Sequence, residues 1–346
     1  MNAVAATLFG PEDLRLVERP LPPLAPGMVR IAFGAGGICG SDLHYFRHAR
    51  TGNFVVTEPL VLGHEIAGTI VETKGFADGL KAGDRVAVNP SRWCRRCARC
   101  LEGRPNLCEN IYFMGSASRT PHMQGGFASH FDAVPAQCAV LPENVPLADA
   151  ALAEPLAVAL HAVARAGTMD GAHVVIFGGG PIGLLTMLAA MLAGAGHISV
   201  VDIAEAPLAF AGKLGADRTI DISRGEEELA ALAADHPIDM AFEVSGTPAG
   251  LASAIRQVRR GGTLVQIGNL PGGDIPVPAN PVMAKELDVR GAFRFGDEFA
   301  DAVALIVSGK VAVSRLVTAS RPLADAPEAF RLALDRSQSV KVVLTA

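Results

Sequence analysis

The sequence predicts an α/β chain of two domains: an irregular β domain, and a parallel sheet covered by helices on both faces. Three observations carry this. Up to about residue 145, short extended runs such as MVRIAF, EIAGTIVET, DRVAVNP and FASHFDAVPAQCAV are separated by Gly- and Pro-rich turns such as LPPLAPG. From about Ala148, apolar strands alternate with helical segments, the pattern of a doubly wound parallel sheet. The last 55 or so residues return to mixed character and end on a strand, VKVVLTA. The expected division is residues 1–150 with 290–346 as one domain and 151–289 as the other, and 346 residues at about 150 per domain suit two.

Taken in order, ALAEPLAVALHAVARAG has apolar residues at helical spacing. HVVIFG is followed by a helix from Pro181, ISVVD by a helix through Leu214, and AFEVSG by a helix through Val258; GTLVQIG comes next. Val174 to Val201 contains no charged residue, yet the Gly-Gly-Gly-Pro break within it cannot continue a membrane-spanning helix. It reads as a buried strand, a turn and a buried helix. After it come VRGAFRF and two further helical runs.

Half of the residues are apolar, 19% are charged and the formal net charge is −5, which excludes a disordered chain. The mild acidity also lacks the basic field that nucleic acid or an anionic membrane attracts. The opening MNAVAATLFGPEDLR shows no basic stretch followed by an apolar one, so a cytoplasmic location is expected. Six cysteines are too few for a disulfide scaffold, and four of them crowd between Cys94 and Cys108.

Three constellations carry chemistry. Gly178-Gly179-Gly180-Pro181-Ile182-Gly183 fits G-x-G-x-x-G, follows an apolar strand, opens a helix, and precedes a strand ending at Asp202. Such glycines let the backbone approach a pyrophosphate at a helix N-terminus, and the acid takes the ribose hydroxyls. Asp202 favours NAD over NADP by repelling a 2′-phosphate, and Ile203, Ala204 and Glu205 offer no arginine to neutralise one. The second constellation, Cys94-x2-Cys97-x2-Cys100-x7-Cys108, matches a closed tetrahedral zinc site in a lobe spanning 91–112. The rival reading is a redox pair from its C-x-x-C units. The third is Cys39 in GGICGSDLHYF, His64-Glu65 in VLGHEIAG and Glu154 in LAEPLAV, a ligand mix that suits a zinc ion with an open position.

GGICGSDLHYF, VLGHEIAG, the four-Cys lobe, AEPLAVALHA and GGGPIG together resemble the zinc-dependent medium-chain dehydrogenases, in order and spacing over essentially the whole chain. The resemblance implies a GroES-like catalytic domain and a Rossmann domain for NAD, with NADP possible. Glu-Pro-Leu in place of a cysteine ligand resembles the polyol and sugar-acid branch. TGNF at Thr51–Phe54, FMGSASRTPHMQGGF, FEVSG and GAFRF are similar to its L-idonate-oxidising members.

By that resemblance each chain holds two zinc ions, one structural on the four cysteines and one catalytic on Cys39 and His64. Glu65 and Glu154 serve as ligands or as partners of ligands. Ser41 and His44 match the family's proton relay, which runs through the cofactor ribose. Tyr45, Phe113, His122, Arg294 and Phe295 are candidate substrate residues. Among them His122 and Arg294, with Arg119, are the candidates for a substrate carboxylate. Phe295 stands where sorbitol dehydrogenases commonly have Tyr. Cys138 has no role and is expected to be a buried apolar residue. The expected reaction is oxidation of a secondary hydroxyl of a sugar acid, L-idonate first, by a homotetramer or homodimer that binds neither nucleic acid nor membrane. The alternatives are a sorbitol or xylitol dehydrogenase, a zinc-free reductase on the same fold, and an inactive binding protein that keeps the fold.

Overall fold

The computed structural model describes residues 2–75 and 79–346. Two compact units emerge, 1–154 with 299–346, and 155–298. The chain therefore re-enters the first unit at Phe299 rather than at 290. The reason is the short strand Asp288–Gly291, which adds to the edge of the parallel sheet and keeps its flanks in the second unit.

The first unit is built on a seven-stranded, mainly antiparallel sheet. Its backbone is the strand Met28–Gly37, paired with Glu65–Lys74 on one side and with the C-terminal strand Lys341–Thr345 on the other. Apolar residues of these strands pack with Phe33, Phe46, Phe127 and Phe330. The rings of Phe46 and Phe330 lie 5.5 Å apart and those of Phe127 and Phe330 6.2 Å apart, both edge to face. Phe330 comes from the returning helix Ala326–Leu334, so the C-terminal segment is part of this core.

In the second unit six parallel strands run in the order Arg218–Asp221, His197–Asp202, His173–Phe177, Ile238–Glu243, Val258–Gln266, Asp288–Gly291. Numbered along the chain this is 3-2-1-4-5-6, the dinucleotide-binding order whose switch point lies between the first and fourth strands. HVVIF is buried at all five positions, as a strand covered on both faces must be. Val258, expected to end a helix, instead begins a strand, because the helix stops at Gln257. The helical run 147–166 is apolar and long enough to cross a membrane, but 61% of its most apolar window is buried within the fold.

Candidate active site

Cys39 caps the helix Gly40–His48, and Asp42 closes the cap by accepting a hydrogen bond from the Cys39 N–H at 3.1 Å. The other oxygen of Asp42 lies 3.4 Å from His64 Nδ1 and accepts from the Gly63 N–H at 3.3 Å. A fully buried carboxylate thus orients the ring of His64 and leaves Nε2 as its donor atom. Burial acts to lower the His64 pKa, but Asp42 and Cys39 outweigh it, and the net effect holds it well above the ordinary histidine value.

Glu65 follows on the strand Glu65–Lys74, opposite Gly37, where a Cβ would overlap its Oε2. Ligand atoms of Cys39, His64 and Glu65 lie within 4.8 Å of one another. Three donors of this chemistry, so placed, fit a zinc ion with three protein ligands, the number that leaves a coordination position for substrate. Lys341, from the last strand, places Nζ 2.7 and 2.6 Å from the two Glu65 oxygens and donates to the Ile38 carbonyl at 2.9 Å. Burial lowers the pKa of Lys341, but Glu65 and Cys39 more than restore it, so the ammonium keeps its proton. Asp42 and Lys341 were not among the expected site residues.

Glu154 stands in the first turn of the helix Ala153–Ala166, outside that 4.8 Å set. Its carboxyl is buried and pushed up to about 7, chiefly by desolvation, with His64, Glu65, Lys341 and Asp42 near enough to act on it. The Phe113 ring lies 5.4 Å from that of His64. Tyr45 is buried, and its hydroxyl accepts the Ala117 N–H at 3.1 Å. Ser41 is half-buried and His44 exposed, three residues apart on one helix face. Partial burial and then His48 lower the His44 pKa.

His122 does not match its expected role. Nε2 accepts the Thr57 N–H at 2.9 Å and Nδ1 donates to the Arg119 carbonyl at 2.6 Å. The ring is buried and both nitrogens are used on backbone, so none is left for a substrate carboxylate. Arg119 is exposed. Arg294 stacks on Phe293 at 4.8 Å, and Phe295 is fully buried; both belong to the second unit. Cys138 is half-buried rather than buried, its thiol pushed up to about 12 by desolvation.

The four lobe cysteines also have Sγ atoms within 4.8 Å of one another, and Cys97 Sγ is 3.9 Å from Cys108 Sγ. A tetrahedron with zinc–sulfur bonds of about 2.3 Å has edges of about 3.8 Å. The Cys94 thiol is lowered to about 6 by N–H groups of Arg96 and Cys97 directed at its sulfur, whereas burial pushes Cys100 up to about 12. The lobe helix Ala98–Leu101 buries none of its residues, and a metal on the four thiols would tie it to the rest of the lobe.

In the second unit Gly178 has φ +112°, and Gly180 caps the helix Pro181–Leu192, with Pro181 at its first position. Ile182 follows, half-buried, and a Cβ on Gly183 would overlap the Gly178 carbonyl. Asp202 ends its strand beside this turn. Its Oδ2 accepts the Gly179 N–H at 2.8 Å, and Oδ1 accepts those of Ile203 and Ala204 at 2.8 and 3.1 Å.

Residues 25–143 match the alcohol dehydrogenase GroES-like domain and 181–308 the zinc-binding dehydrogenase domain. A sorbitol dehydrogenase of Bacillus subtilis is 36% identical over 346 residues, covering 99% of this chain and 97% of the relative. An L-idonate 5-dehydrogenase of Vitis vinifera is 37% identical over 348 residues, covering 98% and 94%. The crystal structure of L-idonate 5-dehydrogenase from Escherichia coli K-12 superposes with a TM-score of 0.94 at 34% identity, covering 100% of this chain and 99% of that one.

Proposed function

The chain belongs to the zinc-binding dehydrogenases, and from that premise we propose that it oxidises a secondary hydroxyl of a sugar acid with NAD, L-idonate to 5-dehydro-D-gluconate being the first choice. The observation that carries the reaction type is the set of three donors, Cys39, His64 and Glu65, with ligand atoms within 4.8 Å. When bound, zinc supplies Lewis acidity to a substrate hydroxyl and the dinucleotide a hydride acceptor.

The chain's own residues do the rest. Asp42 fixes the ring of His64, and Lys341 balances the charge of Glu65. Ser41 and His44 serve the outward passage of the hydroxyl proton. The lowered pKa of His44 keeps its imidazole neutral at neutral pH and able to accept that proton. Asp202 offers the ribose a carboxylate already fixed by three backbone N–H groups and disfavours NADP by charge. The thiols of Cys94, Cys97, Cys100 and Cys108 would hold a second zinc, which would brace the lobe.

The sugar-acid reading is supported by likeness to idonate dehydrogenases along the whole chain. The occupied ring of His122 removes it from the carboxylate site. A polyol reading is favoured by a sorbitol dehydrogenase of near-equal identity. Measuring kcat/KM for L-idonate, D-gluconate, sorbitol and xylitol side by side separates them. L-idonate should lead, and sorbitol or xylitol ahead by about tenfold, or 1.4 kcal/mol, would overturn the sugar-acid reading.

A further inference from the structure

Glu243 ends the fourth strand of the parallel sheet, at the switch point, and is fully buried. Its Oε1 accepts the Ser245 hydroxyl and the Gly246 N–H, the latter at 3.0 Å. The Ser245 hydroxyl lies 2.9 Å from that of Thr247, which accepts the Gly250 N–H at 3.0 Å and so caps the helix Pro248–Gln257. The Glu243 carbonyl accepts the N–H groups of Ile267 and Gly268, both at 2.9 Å. One residue thus fastens the loops that follow two adjacent strands. Its Oε2 has no hydrogen-bond partner among the described residues and faces Gly268, where a Cβ would stand 2.6 Å away.

The loop that Glu243 holds is the wall behind the glycine turn. Val244 donates its N–H to Phe177 at 2.8 Å, and a Cβ on Gly178 would lie 2.8 Å from the Ser245 nitrogen. The loop therefore packs against Gly178 too closely for any side chain there, so the position of residues 244–246 bears directly on the turn. Burying an acid is costly, and an apolar side chain of the same size would fill the space at less cost. Here the carboxyl instead organises backbone at the end of the sheet, through Ser245 and Gly246.

We propose that Glu243 is a positioning residue for the dinucleotide: through the loop 244–247 it fixes the glycine turn at Gly178 and thereby sets cofactor affinity. This rests on the dehydrogenase reading and involves no metal donor. The test is isothermal titration of zinc-replete protein with NAD in the absence of substrate, together with KM for NAD, kcat and thermal unfolding. Glu243→Leu, which removes the acceptor at similar volume, should raise Kd and KM for NAD by about tenfold. At saturating NAD its kcat should stay within about threefold of wild type. Glu243→Gln keeps an acceptor oxygen and should restore Kd to within about threefold. Ser245→Ala, which is mild for folding, should weaken NAD binding by about threefold without a matching fall in melting temperature. Unchanged NAD binding in both Glu243→Leu and Ser245→Ala would overturn the proposal, even with a lower melting temperature. So would Glu243→Gln as impaired as Glu243→Leu. If the wild type itself bound no NAD, the dehydrogenase reading would fail, and this inference with it.

Discussion

Replacing Lys341 by Met should destabilise the first unit strongly, and more so without metal than with it. Lys341 and Glu65 are 3% and 0% exposed, and the ammonium lies within 2.7 Å of both carboxylate oxygens. Methionine keeps most of the volume but leaves a buried carboxylate without its counter-charge, a loss of about 3–5 kcal/mol. At about 2–4 °C per kcal/mol in a unit of roughly 200 residues, chelator-treated protein should melt about 6–20 °C lower. A dication near Glu65 takes over part of the compensation, so the deficit of the metal-replete protein should be smaller. Glu65→Gln combined with Lys341→Met should recover part of the loss, with a coupling of about 0.5–3 kcal/mol. The assay is thermal and urea unfolding of the four proteins, each with and without a chelator. A single-mutant loss below about 1 kcal/mol in both states, or strictly additive losses, would refute the reasoning.

Cys39→Ser should abolish turnover with little loss of fold and leave one zinc per chain, whereas Cys97→Ser should mainly lower stability; metal analysis with unfolding curves separates the two. His122→Ala should cost about 1–3 kcal/mol by leaving the Thr57 N–H and Arg119 carbonyl unmatched, with the ratio of L-idonate to sorbitol kcat/KM unchanged. His44, with its pKa below the ordinary value, is neutral and competent above that pKa and protonated below it. Oxidation should therefore fall only on the acid side, and His44→Gln should remove that limb from the pH–rate profile. Asp202→Ala should weaken NAD and improve NADP relative to it, as read from kcat/KM with each cofactor.

What was legible in the sequence is what is local. The four-Cys spacing spans only 15 positions, and the glycine turn lies between a strand and a helix that are each readable alone. In both cases the partners are close along the chain, so spacing translates directly into geometry. Cys39 and His64-Glu65 stand apart in the sequence, and only the resemblance to the medium-chain dehydrogenases, not periodicity, implies that they converge. Lys341 meets Glu65 across 276 positions, and no local pattern reports such a pairing. Its one signal was a lysine inside the apolar run VKVVL, where a charge on an inward position demands a partner. Asp42 could have been found as the acid three residues after Cys39, at the start of a helix. His122 was misread because its partner Thr57 lies 65 positions away, and a histidine in a polar segment gives no hint that both nitrogens are used. The return at Phe299 was missed because VRGAFRF reads as a strand of either sheet.

The most direct test of the account follows the hydride itself. L-Idonate carrying deuterium on the carbinol carbon C5 is incubated with zinc-replete protein and NAD, and the reduced cofactor is isolated and examined by mass spectrometry and NMR. The account predicts one deuterium on the nicotinamide ring for each 5-dehydro-D-gluconate formed, and neither product with Cys39→Ser. Reduced cofactor without label, or turnover that persists in Cys39→Ser, would contradict it.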